Sequence, residues 1–358
     1  MTHYAITEIN SDGDENSIAK HSKDILTLWK NNLSGASGRR FHWLYDENPA
    51  GGAWTWLAAD EGDKKIVGCN SLYPRYICKN GERLKIGIAV DFAINKEHRV
   101  FGPALKIQRA ITNSVRKAGF DFSFAWPNET SKGVFLRAGY SILGEAGNWV
   151  KPLRTKPQLL KYVKVHFIAE VLGYFIDKSL RLLDSALLIK LPKHLISETL
   201  KASDKRFDAL WEQGKGNYRI VEEKRSDYLN WRYADYNAEP YLFFCLTEKI
   251  GRALRGYLVY SVKDGIARIW DLFAADNRGI SRILSEFIRQ MSKSNINSIS
   301  ITYLENDFLK KIIKLHNFHK RITARTCAVF VDASYPQDGR KLILDKNNWF
   351  LLEGEMDL

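Results

Sequence analysis

The residues whose types and spacing best suit chemistry are Arg99, Gly102 and Ala104, within the run Arg99-Val100-Phe101-Gly102-Pro103-Ala104. A β-branched, apolar run from Leu84 to Ile94 precedes it, and a helical pattern begins at Pro103. Where a strand turns into a helix, the first helical amides lack intrahelical acceptors. Together with the positive end of the dipole, they attract an anion. Gly102 permits close backbone approach, and Arg99 adds a charge-assisted donor suited to phosphate. Pro103 is at home in the first helical turn but brings no N–H, so one donor of such a cradle is missing.

The elements around this loop follow from periodicity and turn residues. Ser22 to Leu33 reads as a helix with Ser22 as N-cap. Trp54 to Ala59, Lys65 to Ser71, Tyr73 to Cys78 and Leu84 to Ile94 read as an antiparallel meander, with Asn80-Gly81 suited to a tight hairpin. Pro103 to Ala118 carries Ala104, Ile107, Ala110, Ile111 and Val115 on one helical face and stops at Gly119. Phe120 to Trp126 is expected as a strand, Asn128 to Arg137 as a short helix, and Tyr140 to Val150 as a return to the sheet. The fold class is α+β.

From about residue 207 the landmarks recur in order. Trp29, Trp43, Asp91, Asn128 and Tyr140 are echoed by Trp211, Trp231, Asp271, Asn306 and Phe318. Such order over five landmarks predicts two copies of one domain. In the second copy the loop reads Asn277-Arg278-Gly279-Ile280-Ser281, which lacks the phosphate pattern, so no second phosphate site is expected.

This strand, loop and helix resemble the acyl-CoA pyrophosphate loop of the GNAT superfamily: Arg or Gln, two residues, Gly, one residue, then Gly or Ala. Asn128, Ser131, Phe135, Gly139 and Tyr140 are similar to its N-x-x-A-x-x-x-Y-x-x-x-G-F helix, with substitutions at three places. The resemblance implies two tandem GNAT-like domains, each a mixed, splayed β-sheet flanked by helices. Residues 1–153 would form the domain with the acyl-CoA loop, 154–206 a basic amphipathic helical linker, and 207–358 a degenerate C-terminal domain. In that fold the pantetheine arm lies between two diverging strands. The backbone of Phe92, Ala93 and Ile94 would bind the arm, the loop from Arg99 through Val100, Phe101, Gly102 and Pro103 to Ala104 the pyrophosphate, and Asn128, Ser131 and Phe135 would complete the cofactor site. Phe135 stands where the superfamily often has the tyrosine that protonates the leaving thiolate, so the usual general acid is missing.

Aminolysis of a thioester needs a base and a donor for the oxyanion. Asp91 is the nearest carboxylate and the catalytic candidate, but Asp271 matches it in the copy without the loop, which equally suits a structural role. His98 lies beside the loop, where it would act, cap or pack. His42, Tyr73 and Arg75 sit where an acceptor could approach; Arg75 would pair with a substrate anion or be an ordinary solvated arginine. Trp43, Trp54, Trp56 and Trp126 suit a core better than a sugar platform.

The expected activity is therefore acyl-CoA-dependent N-acyltransfer, of acetyl or another acyl group, to a small-molecule primary amine. The opening Phe41-His42-Trp43-Leu44-Tyr45-Asp46-Glu47-Asn48-Pro49 resembles bacterial proteins of surface polysaccharide synthesis, which implies an amino sugar as acceptor. Two other readings stay open: a Fem-type transferase using aminoacyl-tRNA, and a non-catalytic acyl-CoA-binding or scaffold protein.

Composition sets the boundaries. The 358 residues carry a formal charge of +13, which favours an anionic partner: a phosphorylated cofactor, tRNA, an acyl carrier protein or lipid headgroups, with DNA not expected. Residues 154–206 hold eleven Lys/Arg against five Asp/Glu. Charges every few positions in 157–191 exclude a membrane span, leaving amphipathic helices that pack between the domains or rest on anionic lipid. Cys69, Cys78, Cys245 and Cys327 are scattered, so neither a metal site nor a disulfide framework is expected. With no signal-peptide pattern at the start, the expected location is the cytoplasm, either free or peripheral to the inner face of the membrane.

Overall fold

The computed structural model describes residues 3–10, 17–35, 37–100, 102–154, 188–233 and 240–356, with residues 175, 178 and 184; the side chains of 322–324 are outside the description. The first part of the chain runs β1 (Tyr4–Asn10), α1 (Ile18–Asn32), α2 (Gly38–Tyr45), β2 (Trp54–Asp60), β3 (Ile66–Lys79), β4 (Glu82–Ile94), α3 (Pro103–Ser114), β5 (Ser123–Ala125), α4 (Glu129–Arg137) and β6 (Ser141–Pro152). It continues with β7 (Leu195–Leu200), α5 (Lys205–Gly214), β8 (Ile220–Glu222), α6 (Ser226–Tyr233), β9 (Leu242–Glu248), β10 (Leu254–Lys263), β11 (Ile266–Ala274) and α7 (Asn277–Lys293). Then come β12 (Ser298–Leu304), α8 (Asp307–Leu315), β13 (His319–Phe330), α9 (Gln337–Ile343) and β14 (Trp349–Phe350). This is an α+β fold: one mixed sheet flanked by helices.

The main strand order is β1-β2-β3-β4-β5-β13-β6-β12-β11-β10-β9-β7, with β8 and β14 attached beside β3. Read from either end, the order is the same when β1 to β6 are exchanged with β7 and β9 to β13. The centre is interleaved: β13 pairs with both β5 and β6, and β6 pairs with both β13 and β12. Beside this centre, Trp43 and Trp231 stack at 4.8 Å, and their hydrogen bonds are reciprocal. Trp43 Nε1 donates to the Trp231 carbonyl at 2.8 Å, and Trp231 Nε1 to the Trp43 carbonyl at 2.9 Å. Residue i meets j as j meets i, the signature of two-fold packing.

Several boundaries differ from the sequence expectation. Helix α1 starts at Ile18, because the Ser17 hydroxyl, not Ser22, caps it by accepting from the Ala19 amide. Ser22 lies inside the helix and donates to the Ala19 carbonyl. The two runs expected around Leu72 form one strand, β3. Pro74 is tolerated there because it faces Gly87 of β4 in a pair without mutual hydrogen bonds, the Gly87 amide donating instead to the Phe122 carbonyl, while on its other edge β2 has ended at Leu72 and β8 joins only at Ile77. The strand expected over Phe120 to Trp126 shortens to β5. Asn80 and Gly81 both take positive φ, as a two-residue hairpin requires. The segment 157–191, expected as amphipathic helices, lies outside the described residues save for 175, 178, 184 and 188–191. Among the described residues no helix is long and apolar enough to cross a membrane.

Candidate active site

Strand β4 creates the site by outrunning its neighbour. It pairs in parallel with β5 only from Gly87 to Ala89, against Ser123 to Ala125, and then continues alone on that edge to Ile94. Opposite, β5 gives way to Trp126, Pro127 and Asn128. The strands diverge around a cleft of about 230 Å³, lined on one side by Ala89 to Phe92 and on the other by Trp126 to Asn128, Ser131 and Phe135. Leu33, Ser34 and Arg40 close it from the segment linking α1 to α2 and from α2 itself.

A β-bulge shapes the wall. Val90 pairs with Ser71 and Ala93 with Cys69, so Asp91 and Phe92 together face Asn70. Asp91 sits in the left-handed region at φ 56°, a strained conformation for a side-chain-bearing residue that surrounding contacts must hold. Those contacts are on both oxygens: Arg40 Nη1 donates to Oδ1 and the Tyr73 hydroxyl to Oδ2. Burial, then the negative charge of Asp91, pushes the Tyr73 phenol well above its usual range, so it stays a neutral donor. The same causes, in the same order, push the Cys69 thiol up to about 12, which removes it as a nucleophile at neutral pH.

Beyond Ile94 the chain passes through a 3-10 turn, Lys96–His98, and enters α3 at Gly102. Gly102 is the N-cap, at φ 90°, and no side chain caps the helix; among the described residues nothing accepts from the amides of Ala104 and Leu105. Pro103 is the first helical residue, as its spacing implied. Val100 is 88% exposed, and Phe101 lies outside the described residues. The Arg99 side chain folds back, its Nε on the Ile94 carbonyl at 3.1 Å and its Nη2 on Asn32 Oδ1 at 3.1 Å, so it braces the loop against α1.

The other expected residues are placed as follows. Phe92 lines the cleft, while Ala93 and Ile94 are buried in the ladder with β3. Asn128 caps α4, its side-chain oxygen accepting from the Ser131 amide at 2.9 Å. Phe135 packs edge-on against Phe92 and Tyr140. His98 turns away from the cleft to the Tyr4 hydroxyl, 3.0 Å from Nδ1, and His42 pairs with Asp46 at the surface. Arg75 is no solvated arginine: it is buried, lies over the rings of Tyr228 and Trp231, and is 3.4 Å from Glu222. Trp43 and Trp56 belong to the core, whereas Trp126 lines the cleft. Sequence reasoning missed Arg40, which carries no motif and meets Asp91 across 51 residues of chain.

The second half offers a counterpart that differs at both ends. Helix α7 begins at Asn277 with Asp276 as N-cap, its carboxylate accepting from the Gly279 amide at 2.6 Å. The dipole end that α3 leaves open is there met by the chain's own anion. Strands β11 and β12 also part after Ile269 and Ile301. The space between them is filled by Trp349 to Met356: Leu304 N donates to the Leu351 carbonyl at 2.9 Å, and Arg232 holds the carbonyls of Gly354 and Met356. Lys224 bridges Asp271 and Glu355 beneath this wedge. Among the described residues no cluster of His, Cys, Asp or Glu could hold a metal ion.

No protein-family model matches the chain, and no curated protein matches it. Solved structures do. A probable N-acyltransferase of Enterococcus faecalis aligns at TM-score 0.65 and 12% identity, over 92% of this chain and 73% of that one. A GCN5-related N-acetyltransferase of Anabaena variabilis aligns at 0.61 and 13%, over 91% and 72%. N-myristoyltransferase of Saccharomyces cerevisiae, solved with bound myristoyl-CoA, aligns at 0.53 and 10%, over 91% and 82%. The chain thus has the fold of the GCN5-related N-acetyltransferases, with the splayed strands and strand-to-helix loop described above.

Proposed function

We propose that this protein is an N-acyltransferase that moves an acetyl or other acyl group from acyl-CoA to a primary amine. The observation that carries the reading is the cleft on the open edge of β4, followed in the same chain segment by the uncapped start of α3 at Gly102. The pantetheine arm would lie along Val90 to Ile94, and the diphosphate would take the amides of Ala104 and Leu105. The amine nitrogen attacks the thioester carbonyl, the C–S bond breaks, and CoA leaves as thiolate. Asp91 is the carboxylate in the cleft to which the amine's proton passes, directly or through water, while Arg40 and Tyr73 hold it in place. Phe135 has no proton to give, so the thiolate takes its proton from solvent.

We read the chain as two copies of one domain, residues 1–153 and 207–358, joined by 154–206. The strand order that reads alike from both ends and the reciprocal Trp43/Trp231 contact support this. The Asp276 cap and the Trp349–Met356 wedge favour a single acyl-CoA site, in the first copy. An amino sugar of a surface polysaccharide precursor is the acceptor suggested by residues 41–49. Calorimetry with acetyl-CoA, followed by thiol release with a panel of amines, tests the reading. One binding site and amine-dependent thiol release are expected; no binding heat overturns it, and binding without release leaves a sensor instead of an enzyme.

A further inference from the structure

A separate hollow of about 540 Å³ lies between α8, the turn at Asn317 and the first residues of β13 on one side and Trp149 of β6, from the first half, on the other. It shares no lining residue with the β4 cleft. Its volume falls in the range of about 300–1,000 Å³ usual for small-molecule sites. Lys310 and Lys314, one helical turn apart on the same face of α8, both line it, with His319 and Lys320 on the facing strand.

The single carboxylate in the lining is already engaged. Glu305 accepts from Lys320 Nζ at 2.8 Å and from Trp149 Nε1 at 3.1 Å. It reaches them by lying over Gly147, where an added Cβ would stand 2.3 Å from Glu305 Oε1, so this placement requires glycine. Among the described residues no acid pairs with Lys310 or Lys314. The hollow is thus lined by two ammonium groups without a counter-charge. The wider stretch from Lys310 to Arg325 holds six Lys/Arg and no Asp or Glu, against a net charge of +13 for the whole chain. Lys314, in the last turn of α8, complements the helix dipole, whereas Lys310 lies nearer the helix start. That effect accounts for neither the hollow nor the continuation of positive charge into β13.

We propose that this hollow binds a phosphate-bearing ligand, whose phosphate oxygens take Lys310 and Lys314 while Trp149 and Phe318 form the apolar wall. Charge-assisted bonds from paired ammonium groups are what such oxygens demand. The ligand is a soluble phosphate ester or the headgroup of a phospholipid, which share this chemistry. The assignment stands apart from the acyltransferase reading.

The test follows the indole N–H of Trp149 in the full-length protein by ¹⁵N NMR, assigned with Trp149→Phe, during titration with inorganic pyrophosphate. The local probe separates this site from any binding at α3. A saturable shift of Trp149 is expected, weakened at least about tenfold in Lys310→Gln/Lys314→Gln. A second arm floats the protein with phosphatidylcholine vesicles with and without phosphatidylglycerol. Flotation that depends on the two lysines assigns the phosphate to lipid; a Trp149 shift without flotation assigns it to a soluble ester. An unmoved Trp149, or equal affinity in the double variant, overturns the proposal.

Discussion

Replacing Gly102 by Asp would build into α3 the cap that α7 already has. At the N-cap, the new carboxylate would accept from the second or third helical amide, that of Ala104 or Leu105, which no described group now occupies. They are the donors assigned to the diphosphate. Each charge-assisted hydrogen bond contributes about 1.5–3 kcal/mol, so losing one weakens CoA by about ten- to a hundredfold in Kd. The left-handed backbone at 102, φ 90°, makes any side chain costly, by about 1–2 kcal/mol of stability. Gly102→Asn carries the same backbone cost and a similar shape without the charge. Calorimetric titration of coenzyme A into the three proteins should therefore rank wild type tightest, Asn intermediate and Asp weakest. Equal affinities for the Asp and Asn variants would refute the assignment of the anion to this helix end.

Other outcomes follow from the same geometry. Asp91→Asn removes the carboxylate from a buried ion pair with Arg40 and should cost about 3–5 kcal/mol, read as a lowered thermal midpoint; an unchanged midpoint would mean that the ion pair contributes nothing. Trp43→Ala and Trp231→Ala should each cost about 3–5 kcal/mol in denaturant unfolding, and the double variant clearly less than their sum, because both remove one shared contact. Burial raises the Glu355 carboxyl from 4.5 to about 8. Since the folded value is the higher, its stabilisation is complete below about 4.5 and is lost as pH rises towards 8, by up to about 1.4 kcal/mol per pH unit. Glu355→Gln should therefore melt progressively closer to wild type, or above it, as buffers move from pH 5 to pH 8; a gap that does not change with pH would place the charge on Glu355 throughout.

Local chemistry made part of this legible in advance. The α3 helix, the Asn80-Gly81 hairpin and the strand-to-helix loop are short-range features, each fixed by a turn residue or by periodicity within a dozen positions. The Arg40–Asp91 pair was not legible, because nothing around Arg40, next to the exposed Arg39 in α2, gives a sign that a bulge 51 residues later will meet it. The same holds for the wedge: Trp349 to Met356 has no periodicity that separates a cleft filler from a surface tail. Nor does sequence alone reveal that β6 and β13 change places, since each strand has the same alternation whichever neighbour it pairs with. Arg75 was misread for a related reason: its aromatic and acidic partners, Tyr228, Trp231 and Glu222, lie about 150 residues away.

The exchange of β6 and β13 also decides what happens when the chain is divided. A fragment ending after β6 would leave β5 and β6 apart, with no strand to bridge them, and would bare two hydrogen-bonding edges at its middle; the remaining fragment would have the same fault between β12 and β13. Expressed singly, such pieces should stick to copies of themselves. Produced together, each holds the strand the other lacks, so a nick between β6 and β7 is a cut that the sheet itself can bridge.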